Sequence, residues 1–237
     1  MTDVMLALTN AKPGREEAFD AWYDARHIPD VLAADHVLGA RRLRAARALT
    51  DVPEQPYEFL AIYEVAAGQC AAAVKSILAN PPKMSEDVDG HPNAWLFEEL
   101  GPRTARPDAG DGPFDQMVVF TNAAEGEDEA FNRWYDELHI PDVFNVIGGF
   151  VSAQRFKRAD VALNAHCPWG YLALYDIPKG QAQHCLDRIN WSRAEREEAE
   201  AAGREPKVKL SPTLAPERVS WFFLETTPYV TAAATAA

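Results

Sequence analysis

The string Trp-Tyr-Asp-x-x-His-Ile-Pro-Asp-Val occurs twice, once at Trp22–Val31 and again at Trp134–Val143. The two copies lie 112 residues apart in a chain of 237. A ten-residue pattern kept at nearly half the chain length points to two copies of one folding unit. The expected organisation is a first repeat over 1–101, a linker over 102–114, a second repeat over 115–228 and a flexible tail over 229–237.

The match extends well beyond the string. Val4–Asn10 and Gln116–Asn122 are short apolar runs that both end in Thr-Asn, and both read as strands. Helical spacing follows. Ala18, Phe19, Trp22, Tyr23 and Arg26 mirror Ala130, Phe131, Trp134, Tyr135 and Leu138, a stripe on one helix face. Pro29 and Pro141 are expected to stop that helix, because the residue before proline avoids the α region. Pro-Asp-Val then opens a short second segment.

Further strands are expected at Val37–Arg44 and Phe150–Lys157, at Phe59–Val65 and Tyr171–Ile177, and at Trp95–Glu99 and Trp221–Glu225. A second helix starts near Gly68 in one copy and Gly180 in the other. Each half thus reads β-α-β-β-α-β, the ferredoxin-like pattern. Trp95 and Trp221 are 126 apart, so the second copy has gained 14 residues, placed within 190–216. That stretch holds Arg193–Glu200, expected as a longer helix with a solvated charged face. Copy two also carries one extra residue in Gly148-Gly149.

A four-stranded antiparallel sheet with helices on one side leaves its other face bare. Two such faces can bury each other. The expected fold class is α+β: two tandem ferredoxin-like βαββαβ repeats forming a pseudo-dimeric α+β barrel, with helices outside. In the His-x-Pro segment, the Gly149-Phe150-Val151-Ser152-Ala153-Gln154-Arg155-Phe156 strand and the late aromatic strand, the chain resembles the dimeric α+β barrel superfamily, in particular its small EthD-like members. The resemblance covers 3–101 and 115–228. It implies the fold but not one activity. Members include cofactor-free monooxygenases, polyketide cyclases, lactone isomerases and haem-handling enzymes. Copy one departs from the pattern, since His36–Leu43 lacks the Gly-Phe pair and its turn should differ.

Composition narrows the partners. The net charge of −13 repels phosphate backbones, so no nucleic acid is expected. No apolar run nears the roughly 20 residues a membrane span needs. No signal peptide is read at the N-terminus. Cys70, Cys167 and Cys185 are scattered and read as three reduced thiols, consistent with a cytoplasmic protein. The chain is expected to be a monomer with an internal pseudo-twofold or a homodimer. Dinucleotide, P-loop, nucleophile-elbow and zincin motifs are missing, so no cofactor and no metal are expected.

His27 and His139 lead the chemical candidates, because an imidazole titrating near neutral pH suits acid–base work. The competing reading is that each caps the end of its helix. Asp30 and Asp142, three residues on, could orient the imidazoles. Trp22 and Trp134 read as core. Tyr23 and Tyr135 could reach a cavity between helix and sheet. Tyr63 and Tyr175 share one strand face, and Glu64 and Asp176 the other. If the acidic pair faces inward, Arg42 and Arg155 are its expected partners. His166 and Cys167 are adjacent, but neighbours on an extended segment point apart.

The expected function is a cofactor-independent lyase, isomerase or cyclase acting on a small aromatic or apolar metabolite. His139 serves as acid or base, with Asp142 orienting it and Tyr135 donating to an oxygen. Trp169, Tyr23, Tyr175 and Arg155 contribute to substrate binding, and His27 with Asp30 form the counterpart in copy one. The alternatives are a cofactor-free monooxygenase of phenols and a non-catalytic small-molecule-binding or scaffold module.

Overall fold

The computed structural model describes residues 1–49, 55–110 and 112–232. It is a mixed α+β fold, with one large antiparallel sheet and few helices. Nine strands run β1 (Thr2–Ala11), β2 (Val37–Ala45), β3 (Phe59–Ala66), β4 (Val88–Glu99), β5 (Thr104–Ala105), β6 (Phe114–Ala123), β7 (Ser152–Arg158), β8 (Tyr171–Pro178) and β9 (Leu214–Thr231). Their order is β4-β1-β3-β2-β9-β6-β8-β7-β5, and β4 also pairs with β7. That last pairing joins Phe97–Glu99 to Phe156–Arg158 and closes the ring of strands, leaving the two-residue β5 as the short free end of the strand order.

Register repeats between the halves. Met5 lies opposite Tyr63 in the first half, and Met117 opposite Tyr175 in the second. Alternation along each strand sorts the side chains into two layers. Leu6, Leu60, Phe97, Val118, Phe120, Leu172 and Phe223 share a core inside the ring. Met5, Tyr63 and Phe19 belong to a second core, under the first-half helices. Met117, Tyr175 and Phe131 belong to a third, under the second-half helices.

Apart from β7, which starts two residues later than expected, the strands run longer than the sequence predicts, and β9 is the extreme. It extends to Thr231, where Gly39 pairs with Thr231 and Ala40 with Val230. Residues 229–231, expected in a flexible tail, are therefore sheet; 233–237 lie outside the described residues. The linker is also partly ordered, because Thr104–Ala105 pairs with Ser152–Ala153.

The prolines do not stop their helices. Helix α1 (Glu16–Trp22) passes through a π-helical turn, Tyr23–His27, into α2 (Ile28–Leu32). The Ile28 N–H donates to the Tyr23 carbonyl, five residues back. In an unbroken α-helix the Pro29 ring would press on the carbonyl four residues earlier, and the wider turn relieves that clash. The second half does the same with α4 (Asp128–Trp134), a π-helical turn at Tyr135–His139 and α5 (Ile140–Asp142). A further π-helical turn, Val143–Ile147, follows there.

The turns into the second strands differ, as expected. The first half uses His36 in the left-handed region, and the second uses Gly148 and Gly149. Helix α3 (Cys70–Ala79) has 10 residues, while its second-half counterpart α6 (Ala182–Ala201) has 20. Cys70, Cys167 and Cys185 are free and buried.

Candidate functional site

The π-helical turn explains the spacing inside the repeated string. On an α-helix, residues five apart point in different directions. One extra residue in the turn brings them over each other. Trp134 and His139 are therefore stacked, with ring centroids 4.8 Å apart and planes 28° apart. Trp22 and His27 also have centroids 4.8 Å apart, with planes 36° apart. Both tryptophans are half-buried rather than fully core.

The rest of the string is also accounted for. Tyr175 Oη donates to Tyr135 Oη at 3.1 Å, and Tyr63 lies 3.5 Å from Tyr23 in the same relation. The motif aspartates reach the second strand. Arg155 binds Asp136 at 2.8 Å and Asn132 at 2.6 Å. Arg42 binds Asp24 at 2.8 Å and Asp20 at 2.6 Å.

The expected pairing of Arg42 and Arg155 with Glu64 and Asp176 does not form, since the arginines face the helices. Asp176 bonds instead to Arg103, Ser152 and Gln116. Glu64 accepts from Tyr229 at 2.7 Å.

Neither His27 nor His139 caps a helix. Their Nδ1 atoms are buried without a hydrogen-bond partner among the described residues, an exception to the usual pairing of buried polar groups. Burial is the main reason each imidazole titrates low, at about 4. Arg155, Arg218 and Arg196 add to the effect at His139, and Arg42 adds to it at His27, where Asp30 opposes. Both rings are neutral at pH 7. Burial pushes the Tyr135 and Tyr175 hydroxyls upward, so both remain protonated donors.

The halves differ in what lies beside the imidazole. His139, Trp134, Tyr135 and Tyr175 line a cavity of about 140 Å³ between the sheet, α4, α6 and the segment leading into β9. Met117, Val119, Val143 and Ile147 supply apolar wall, and Arg193, Arg196 and Arg218 supply charge. The corresponding first-half pocket, about 580 Å³, does not have His27 in its lining. It is bounded by Trp22, Arg26 and Asp30, and by Lys83–Glu86.

Several expected site residues fall elsewhere. No hydrogen bond joins Asp142 to His139, or Asp30 to His27, among the described residues. Trp169 does not wall the His139 cavity. It stacks on Phe120 with centroids 6.1 Å apart and packs on the core inside the ring. Tyr23 is buried against Tyr63. Arg155 acts from behind, its guanidinium 4.2 Å from the Tyr135 ring centroid.

Arg193 is exposed, as expected of a solvated face, and Arg196 is half-buried; both also line the cavity. Arg218 was not singled out at all. The available signal was position, since Arg193 and Arg196 lie in the stretch gained by the second copy. Among the described residues no group of three or more His, Cys, Asp or Glu side chains is placed to hold a metal ion. No helix there is long and apolar enough to cross a membrane.

No protein-family model matches the chain, and no curated protein matches it significantly. Solved structures match in fold. An anthrone oxidase-like protein is 12% identical, with a TM-score of 0.61 over 98% of this chain and 93% of its own. A candidate monooxygenase from Fusobacterium nucleatum is 8% identical, with a TM-score of 0.53 over 97% and 94%. At these identities the likeness is one of fold, a mixed α+β architecture shared over nearly the whole chain.

Proposed function

We propose that the chain is a tandem fusion of two EthD-like ferredoxin-like units closed into a pseudo-dimeric barrel, and that its second half holds the working site of a cofactor-independent acid–base enzyme. The observation that carries this reading is the neutral, unbonded His139 imidazole on the wall of a cavity, beside protonated Tyr135. An imidazole that is neutral at pH 7 can accept a proton directly.

The ligand is a small aromatic or apolar metabolite. Its acidic C–H or O–H gives a proton to His139, and negative charge develops on the ligand oxygen. Tyr175 donates to Tyr135, which leaves the Tyr135 O–H free to donate onward to that oxygen. Arg196 and Arg218 favour the same charge. Return of the proton to a different atom completes an isomerisation, and loss of a leaving group completes an elimination. Asp142 enters none of these steps.

A second reading is a cofactor-free oxygenase of phenols. It draws support from the names of the fold neighbours, an anthrone oxidase-like protein and a candidate monooxygenase. It shares the deprotonation step and differs in what the anion meets next.

The test is hydrogen–deuterium exchange at the acidic carbon of small aryl ketones in D₂O, followed by NMR. The wild-type chain accelerates exchange. His139→Asn loses roughly a hundredfold or more, whereas His27→Asn keeps the rate. Consumption of the compound only in air selects the oxygenase. Saturable binding without exchange or consumption leaves a non-catalytic binder.

A further inference from the structure

The His139 cavity is basic in an acidic protein. The chain carries 36 Asp and Glu against 23 Lys and Arg, yet the cavity is lined by three arginines and no carboxylate. Arg193 and Arg196 form no ion pair or hydrogen bond among the described residues, and Arg218 reaches only the Pro216 carbonyl at 3.4 Å. Several other arginines of the chain are matched by carboxylates, among them Arg42 with Asp20 and Asp24, and Arg204 with Glu195.

The three guanidiniums also act on one another. Burial lowers Arg218 first, and the fields of Arg196 and Arg193 lower it further. Arg196 is half-buried, while Arg193 and Arg218 are exposed at the opening, so an anion entering there meets three like charges that no carboxylate of the lining offsets.

The cavity's size limits the rest of the ligand. An apolar cavity of about 150 Å³ holds one benzene ring, and this one is about 140 Å³. Trp134 offers a ring face, and Met117 and Val119 offer apolar contact.

We propose that the His139 cavity takes a monocyclic aromatic carboxylate, its ring against Trp134 and its carboxylate held by Arg196 and Arg218, with Arg193 adding charge at the rim. This rests on the reading of that cavity as the working site. Guanidinium suits the task, because its planar fork matches a carboxylate. The bound charge also acts on the base. His139 is surrounded by Arg155, Arg196, Arg218, Tyr135 and Tyr175, with Asp136 already engaged by Arg155. An anion that neutralises the rim favours the imidazolium, so the ligand strengthens the base that acts on it.

Calorimetric titration of benzoate and phenylacetate, against their uncharged amides benzamide and phenylacetamide, tests the proposal. The carboxylates are expected to bind at least tenfold more tightly than the amides. The double variant Arg196→Gln/Arg218→Gln, shown folded by circular dichroism, is expected to lose that preference while amide binding stays the same. Equal binding of acid and amide overturns the proposal, as do no saturable carboxylate binding and full retention in the double variant. Inorganic phosphate that binds as tightly as phenylacetate overturns the aromatic part. His139→Asn separates the two readings, since it keeps phenylacetate binding. Equal binding of acid and amide by the wild-type chain, with its exchange activity intact, therefore refutes only the ligand class.

Discussion

The Arg155 guanidinium lies 4.2 Å from the centroid of the Tyr135 ring, and Arg42 stands 4.4 Å from Tyr23 in the same way. The repeated string makes this contact possible. Its aspartate holds the guanidinium, its tyrosine receives it, and its tryptophan and histidine stack one turn on. The string is therefore a device for fixing a helix on a sheet, and in each half it leaves one imidazole Nδ1 without a hydrogen-bond partner among the described residues.

The arginine anchors differ in redundancy. Arg42 has two carboxylates, while Arg155 has Asp136 and the amide of Asn132. Asp20→Asn copies the second half into the first and is expected to cost under about 1 kcal/mol. Asp136→Ala leaves a buried guanidinium without a carboxylate and is expected to cost about 2 kcal/mol or more. Urea unfolding of the two variants checks the order.

The turn before β7 should be the most glycine-dependent point near the site. Gly148 and Gly149 both have positive φ, but only at Gly149 would a Cβ meet Cys185 Sγ, at 2.8 Å. Gly148 sits at φ 79° and ψ 175°, a region essentially open only to glycine, so Gly148→Ala should cost about 1–2 kcal/mol of backbone strain. Gly149→Ala adds the clash and should cost about 2–3 kcal/mol, read as the larger fall in thermal midpoint.

Acid should weaken the fold through the unbonded imidazoles. They titrate at about 4 in the folded chain, against the ordinary value of 6.5. Between those values the unfolded chain binds more protons, so stability rises with pH across that window and is fully present above it. Each histidine contributes at most on the order of 3 kcal/mol. His27→Phe keeps a ring against Trp22 and should flatten the pH dependence measured by urea unfolding.

The tyrosine pair should matter for chemistry more than for folding. Tyr175→Phe removes a 3.1 Å hydrogen bond and should cost about 1 kcal/mol of stability. It leaves Tyr135 without its donor, so exchange activity should fall by more than that loss of folded protein explains.

Strand positions and helix faces were legible in the sequence because alternation and the 112-residue repeat both report burial. The mixed α+β class followed from them. The π-helical turns were not legible. Pro29 and Pro141 look like helix stops, and only the placement of Trp and His five residues apart hints at a wider turn. The partners of Arg42 and Arg155 were misassigned because alternation says which residues share a strand face, not whether that face meets helices or the ring interior. Trp169 was misplaced for a similar reason, since a loop residue has no periodicity to report its direction. The arginine rim was hidden in a charged helix segment that reads as solvated until the cavity beside it is seen.

The most direct measurement follows the imidazoles themselves. Histidine-labelled NMR, with His27 and His139 assigned through their Asn variants, is recorded across pH with and without phenylacetate. The account predicts that phenylacetate shifts the His139 resonances and raises its titration from about 4, while His27 stays unchanged. Equal responses at both histidines, or no response at His139, would contradict a working site in the second half.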